Sequence, residues 1–133
     1  MVTVRVRVGS ERYAVPAEHV PEVAEVGAVT VVPGAPPQVL GLRNLRGEVL
    51  PVVALHTVLG MPGDGARERL VVAEDGALRA GLAVDAVEDV TDLPDATHAT
   101  DSPLLSGAAM VDGTLVGLLD VPALLRACAV NDA

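Results

Sequence analysis

Apolar and polar residues alternate from the start of the chain, with Val2, Val4, Val6 and Val8 on one side and Thr3, Arg5 and Arg7 on the other. Period two belongs to a half-buried strand, and Gly9-Ser10 turns the chain into a second short strand around Tyr13 and Val15. The chain is therefore predicted to open with a hairpin. Pro16 to Val23 has room for a brief helix and Val29 to Val32 reads as a strand. P-G-A-P-P at 33–37 must be loop, because proline has no N–H to give a central strand.

From Leu42 the pattern runs through an apolar strand, the polar turn Arg46-Gly47-Glu48, a second apolar strand Val49 to Val53 and a short helix-like run to Leu59. A Gly/Pro-rich connector, Gly60 to Gly65, follows. Leu70 to Ala73, the turn Glu74-Asp75-Gly76 and Leu78 to Val84 predict another hairpin, with Asp-Gly as its turn signal. Leu93 to Pro103, rich in Asp, Thr and Pro, reads as loop. Ala109 to Leu125 can be laid over Leu45 to Leu59 with Gly113 on Gly47 and apolar residues coinciding at most core positions. That repetition predicts one strand, turn, strand, short-helix unit used twice, as two similar β subdomains would require. The size, 133 residues, suits one domain spanning 1–133.

Composition narrows the function. Half the residues are hydrophobic, yet Tyr13 is the sole aromatic, so Val, Leu and Ala must build the core, and valine favours strands. A net charge of -9 repels a phosphate backbone, and no basic patch or stacking aromatics offset it, which argues against nucleic acid. Cys128 is the only cysteine, excluding an internal disulfide and fitting a reducing cytoplasm. The alternating N-terminus lacks the apolar run of a signal peptide. The long uncharged stretch Gly27 to Leu42 is proline-broken and too short to span a bilayer, so direct membrane insertion is not expected.

Candidate chemistry is sparse. His19, His56 and His98 stand far apart without a second ligand at helical or hairpin spacing, and read as surface residues; no metal or cofactor is expected. There is no G-x-S-x-G elbow, and Cys128 falls in a predicted C-terminal helix without His or Asn arranged around it, so no catalytic residue is assigned. Gly63 and Gly65 lack the third glycine and lysine of a phosphate cradle. Glu88, Asp89, Asp92 and Asp95 read as solvated charge at a strand end. Asp85 and Asp120 each follow an apolar strand and precede a helix-like run, where a carboxylate accepts backbone N–H groups as an N-cap; Asp85 also has Glu88 at capping-box spacing. Arg46 differs, since the turn needs Gly47 but not an arginine; a guanidinium there is either solvated or an anion-pairing contact for a partner.

Val20-Pro-Glu-Val23, the loop Val32-Pro-Gly-Ala-Pro-Pro37 and Val39-Leu-Gly-Leu-Arg-Asn-Leu-Arg-Gly-Glu-Val-Leu-Pro-Val-Val53 together resemble the CheW-like family of chemotaxis coupling proteins. Gly81-Leu-Ala-Val-Asp-Ala-Val87 and Asp112-Gly-Thr-Leu-Val-Gly-Leu-Leu-Asp120 do so as well. The resemblance implies a mainly β fold of two intertwined five-stranded SH3-like barrels with short helices. It also implies a non-enzymatic cytoplasmic adaptor binding the regulatory domain of a CheA-like histidine kinase and the cytoplasmic tip of a chemoreceptor. By similarity Asn44 and Arg46 face the receptor, with Val20 and Glu22 beside them and Glu22 as ion-pair partner of Arg46, while Gly47 is structural. Ala54 and His56 depart from the pattern, where the family usually carries Asp and a basic residue. Such a departure also fits a scaffold of a non-chemotactic chemosensory pathway, in surface motility or gene regulation.

Overall fold

The computed structural model describes residues 1–61 and 67–129. The strands are β1 (Val2–Val8), β2 (Glu11–Pro16), β3 (Glu22–Glu25), β4 (Val39–Leu45) and β5 (Glu48–Ala54), then β6 (Arg69–Asp75), β7 (Leu78–Val84), β8 (Ala86–Asp92), β9 (Leu105–Val111) and β10 (Thr114–Leu119). Among the described residues two helices, α1 (Leu55–Val58) and α2 (Val121–Ala129), and a 3-10 turn over Ala17–His19 complete the set. One sheet has the order β8-β1-β2-β10-β9, the other β3-β6-β7-β5-β4. The chain starts the first sheet, leaves to build all of the second, then returns to finish the first, which is the intertwining the family resemblance implies.

Each sheet contains one parallel pair, β2 with β10 and β7 with β5. The repeat read in the sequence is a repeat of structure. Arg46 and Gly47 have φ of 54° and 82°, and Asp112 and Gly113 have 48° and 78°, so both turns hold two residues in the left-handed region, as type I′ hairpins require. It reaches further back than the sequence pattern did. Gly41 and Gly107 sit at matching register breaks, and a Cβ added to Gly41 would lie 2.2 Å from the Thr30 carbonyl oxygen. Arg46 Nη1 and Glu22 Oε2, 3.0 Å apart, together with the Arg43 Nη2–H donating to the Glu25 carbonyl at 3.4 Å, tie edge strand β4 to edge strand β3 and close the second sheet on itself.

Three apolar cores follow from alternation along strands buried on both faces. Leu45, Leu50, Val52, Leu70, Val72 and Ala83 fill the second barrel. Ala14, Leu93, Ala109, Val116 and Leu118 fill the first. Between them lies the largest core, where Val71 and Leu82 of the second barrel meet Val4, Val6, Val8 and Val15 of the first, beneath Leu124 and Leu125 of α2. The first-strand valines therefore seal the junction of the two sheets rather than one barrel's interior, and Val2, 53% exposed, joins no core. Thr3, on the opposite face, is fully buried and donates its hydroxyl to the Thr91 carbonyl at 3.1 Å.

Several local expectations are corrected. Val29 to Val32 forms no strand: Thr30 makes one isolated bridge with Leu42, and Val31 stands 74% exposed ahead of the prolines. The hairpin turn after β6 is Gly76-Ala77, one residue later than the Asp-Gly signal, because Asp75 pairs with Leu78. The helix-like run after Asp85 is strand β8, which pairs with β1 from Ala86 opposite Arg7 to Asp92 opposite Val2. His56 is buried, at 7% exposure, rather than on the surface. The glycines at 63 and 65 lie outside the described residues.

Candidate partner-binding surface

The tip of the β4–β5 hairpin is held from within. The Gly47 N–H donates to Asn44 Oδ1 at 2.9 Å, closing the turn, and Arg43 Nη1–H donates to the Asn44 carbonyl at 2.7 Å. Asn44 thus carries a structural bond as well as an exposed side chain. Arg46 is 77% exposed on this braced turn, whereas its partner Glu22 is only 20% exposed at the start of β3. Their contact is an ion pair by distance, without the alignment of a hydrogen bond. Val20, two residues before Glu22, is half-buried against the central core and fixes the approach of β3. The structure therefore brings Asn44, Arg46, Gly47 and Glu22 together, while Val20 packs against the central core.

Parallel pairing of β5 with β7 creates a second charged group that no sequence spacing discloses. Arg79 bonds Glu48 across to the hairpin and lies 3.7 Å from Glu74 on β6. Beside it opens a groove of ≈ 550 Å³ bounded by the Pro33–Pro36 loop, β4, β5, the start of β7 and α2. Among the described residues Arg79 is the only charged one lining it. Cys128 lines the groove too, and burial pushes its thiol above the ordinary value, which leaves it a poor nucleophile.

The two aspartates read as N-caps have different tasks. Asp120 Oδ1 accepts the Ala123 N–H at 3.0 Å, the bond of an N-cap at the head of α2. Asp85 caps no helix, because β8 follows it. Its carboxylate, 7% exposed, accepts the N–H of Gly9 at 2.6 Å and of Arg67 at 3.1 Å, with Arg7 at 3.8 Å. It thereby links the β1–β2 turn to the segment entering β6. Burial pushes its pKa up, but the Arg67 and Gly9 N–H donors, aided by Arg7 and His56, outweigh that and hold it below the ordinary value of 3.8. Among the described residues no group of His, Cys, Asp and Glu is placed to hold a metal ion. No helix among them is long and apolar enough to cross a membrane.

Two interlocked barrels with a braced, charged hairpin tip and an apolar groove define a binding scaffold. The model of the CheW-like domain matches residues 3–129, and the chain belongs to that family. It is 34% identical over 128 residues to the probable chemotaxis protein CheW of Rhizobium etli, covering 89% of this chain and 83% of that one. It is 40% identical over 90 residues to protein FrzA of Myxococcus xanthus, covering 66% of this chain and 56% of FrzA. The crystal structure of the scaffolding protein TtCheW from Thermoanaerobacter tengcongensis superposes with a TM-score of 0.79 at 25% identity, over 90% of this chain and 84% of that one. The two sheets are accordingly SH3-like barrels, and the chain is a non-enzymatic scaffold or adaptor of chemosensory systems.

Proposed function

We propose that this chain, as one domain over 1–133, couples a chemoreceptor's cytoplasmic tip to the regulatory domain of a CheA-like histidine kinase. The observation that carries the reading is Arg46. A guanidinium that is 77% exposed, on a turn braced by Asn44 and set against Glu22, is a preorganised fork for a partner's carboxylate. Asn44, Arg46, Glu22 and Val20 form the receptor-facing group, and the adaptor works in the cytoplasm with no cofactor, no nucleic acid and no insertion into the membrane. Titration calorimetry against receptor-tip fragments and, separately, the kinase regulatory domain tests it. Binding to each, and a ternary complex from the mixture, is the expected result; absence of both interactions sinks the proposal.

Similarity to FrzA, which is not named for chemotaxis, favours a second reading in which the same scaffold serves a non-chemotactic pathway. A kinase and receptor co-purifying from the source cell, with loss of a motility or expression phenotype but normal chemotaxis on deletion, would select it.

A further inference from the structure

Alternation along β4 puts Gly41 and Leu45 inside the second barrel and Leu42 and Asn44 outside it, so Arg43, half-buried, turns inward at the barrel mouth. Its guanidinium spans the gap between edge strands β4 and β3, which no backbone ladder closes. One end donates to the Asn44 carbonyl at 2.7 Å, the other to the Glu25 carbonyl at 3.4 Å. Between them it rests on Gly27, where an added Cβ would lie 2.9 Å from Arg43 Nε and 3.0 Å from Cζ and Nη2. Only a residue without a side chain leaves that space, and Gly27 also holds a left-handed φ of 65°. Arg43 Nε is buried without a hydrogen-bond partner among the described residues. An unpaired buried donor costs stability, and a hydrocarbon side chain at position 43 would cover the mouth without that penalty. What the guanidinium adds is its hold on two carbonyls from two strands.

The first barrel shows what the same hairpin does without it. Laying Gly113 on Gly47 sets Ala109 in the place of Arg43 and Asp112 in the place of Arg46. Ala109, buried in the core, has no group that could bridge two strands, and Asp112 keeps the left-handed turn without the cation. The bridging guanidinium and the presented one occur in the same barrel and are missing from the same barrel. We infer that Arg43 is a positioning residue for receptor binding: seated on Gly27, it clamps β3 to the β4–β5 hairpin, so that Glu22 and Arg46 meet a partner as one preformed unit. The inference rests on the adaptor reading and adds to it a residue that acts through Arg46 rather than by contact. A tip fixed before the partner arrives loses less freedom on binding, which raises affinity without a new contact.

Hydrogen exchange on the whole chain tests the clamp without any partner. In Arg43→Gln the amides of Gly47 and Val26, which donate to Asn44 Oδ1 and to the Glu68 carbonyl, should exchange about tenfold faster, while those of β1 and β2 keep their rates. Titration against receptor-tip fragments and, separately, the kinase regulatory domain reads the consequence: receptor affinity falls about tenfold and kinase affinity holds. Gly27→Ala, which displaces the guanidinium instead of deleting it, should give the same split between the two partners. The double variant should bind receptor no more weakly than either single one, because both changes undo one clamp. Unchanged exchange at both amides, equal loss toward both partners, or additive losses would each overturn the inference. A native chain that binds no receptor fragment, with exchange still faster in Arg43→Gln, would sink the adaptor reading and the receptor role with it while showing the clamp to be real.

Discussion

Arg46 and Glu22 join the two ends of one sheet: a 3.0 Å contact links the tip of β4–β5 to the start of β3, strands that stand at opposite edges in the sheet order. The pair is lopsided in exposure, 77% against 20%, so Glu22 is the anchored member and Arg46 the presented one. Exposed ion pairs contribute at most about 1 kcal/mol to stability, so this arginine's value lies in what it offers a partner.

Arg46→Glu is expected to leave the fold intact and abolish receptor binding. It sets two carboxylates against each other at the barrel edge, which lowers the melting midpoint by only a few degrees, given about 1 kcal/mol of exposed electrostatics. At the interface it removes a donor fork and adds repulsion, costing about 2–5 kcal/mol in receptor affinity. Titrations against receptor-tip fragments and the kinase regulatory domain, with a melt as control, check this. Equal loss toward both partners with a collapsed melt would make Arg46 structural instead.

Asp85 gives stability a particular pH dependence. Its folded-state pKa is held below 3.8, so its contribution is fully present above that value and is lost as pH falls through the depressed folded-state value. Asp85→Ala removes a charged acceptor from the exposed Gly9 N–H and the part-buried Arg67 N–H and should cost about 1–2 kcal/mol at neutral pH. The gap between native and variant protein in urea unfolding should then shrink in acid below pH 3.8. A gap independent of pH would show that the carboxylate's charge is not what matters.

Ala54→Asp is expected to stabilise the protein. Ala54 and Asp120 occupy matching places: the N–H of Ala54 donates to the Gln38 carbonyl and that of Asp120 to the Leu104 carbonyl, both at 2.8 Å. Ala54 has the extended backbone of an N-cap, φ -76° and ψ 108°, but no side-chain cap bond. Supplying the carboxylate should add about 1 kcal/mol, a few degrees in the melt. An unchanged or lower midpoint would show that the burial of position 54 outweighs the cap.

Two glycines of the β4–β5 hairpin should respond differently to alanine. At Gly47 nothing lies near an added Cβ, and only the left-handed φ of 82° opposes it, a cost of about 1–2 kcal/mol. At Gly41 the Cβ would enter the Thr30 backbone, and the loss should reach about 3 kcal/mol or more. Denaturant midpoints of the two variants measure the difference; equal losses would mean that the register break at Gly41 relaxes freely.

What the sequence by itself determined is local. Alternation at Val2–Val8, the repeated hairpin with Gly47 over Gly113, and the Asp120 cap are written in adjacent residues, and a single strand or turn suffices to express them. The Arg46-Gly47 turn was legible for the same reason, since its residues are adjacent. Tertiary structure decided whatever depends on which strands meet. Ala86–Asp92 became a strand because β1 offered it a partner, and so Asp85 became a link between segments instead of a cap. Val4, Val6 and Val8 face the junction of the barrels because the chain returns to finish its first sheet only after building the second. The Arg79–Glu48 pair and the groove beside it arise from parallel pairing of β5 with β7, and alternation within one strand carries no record of its neighbour's register.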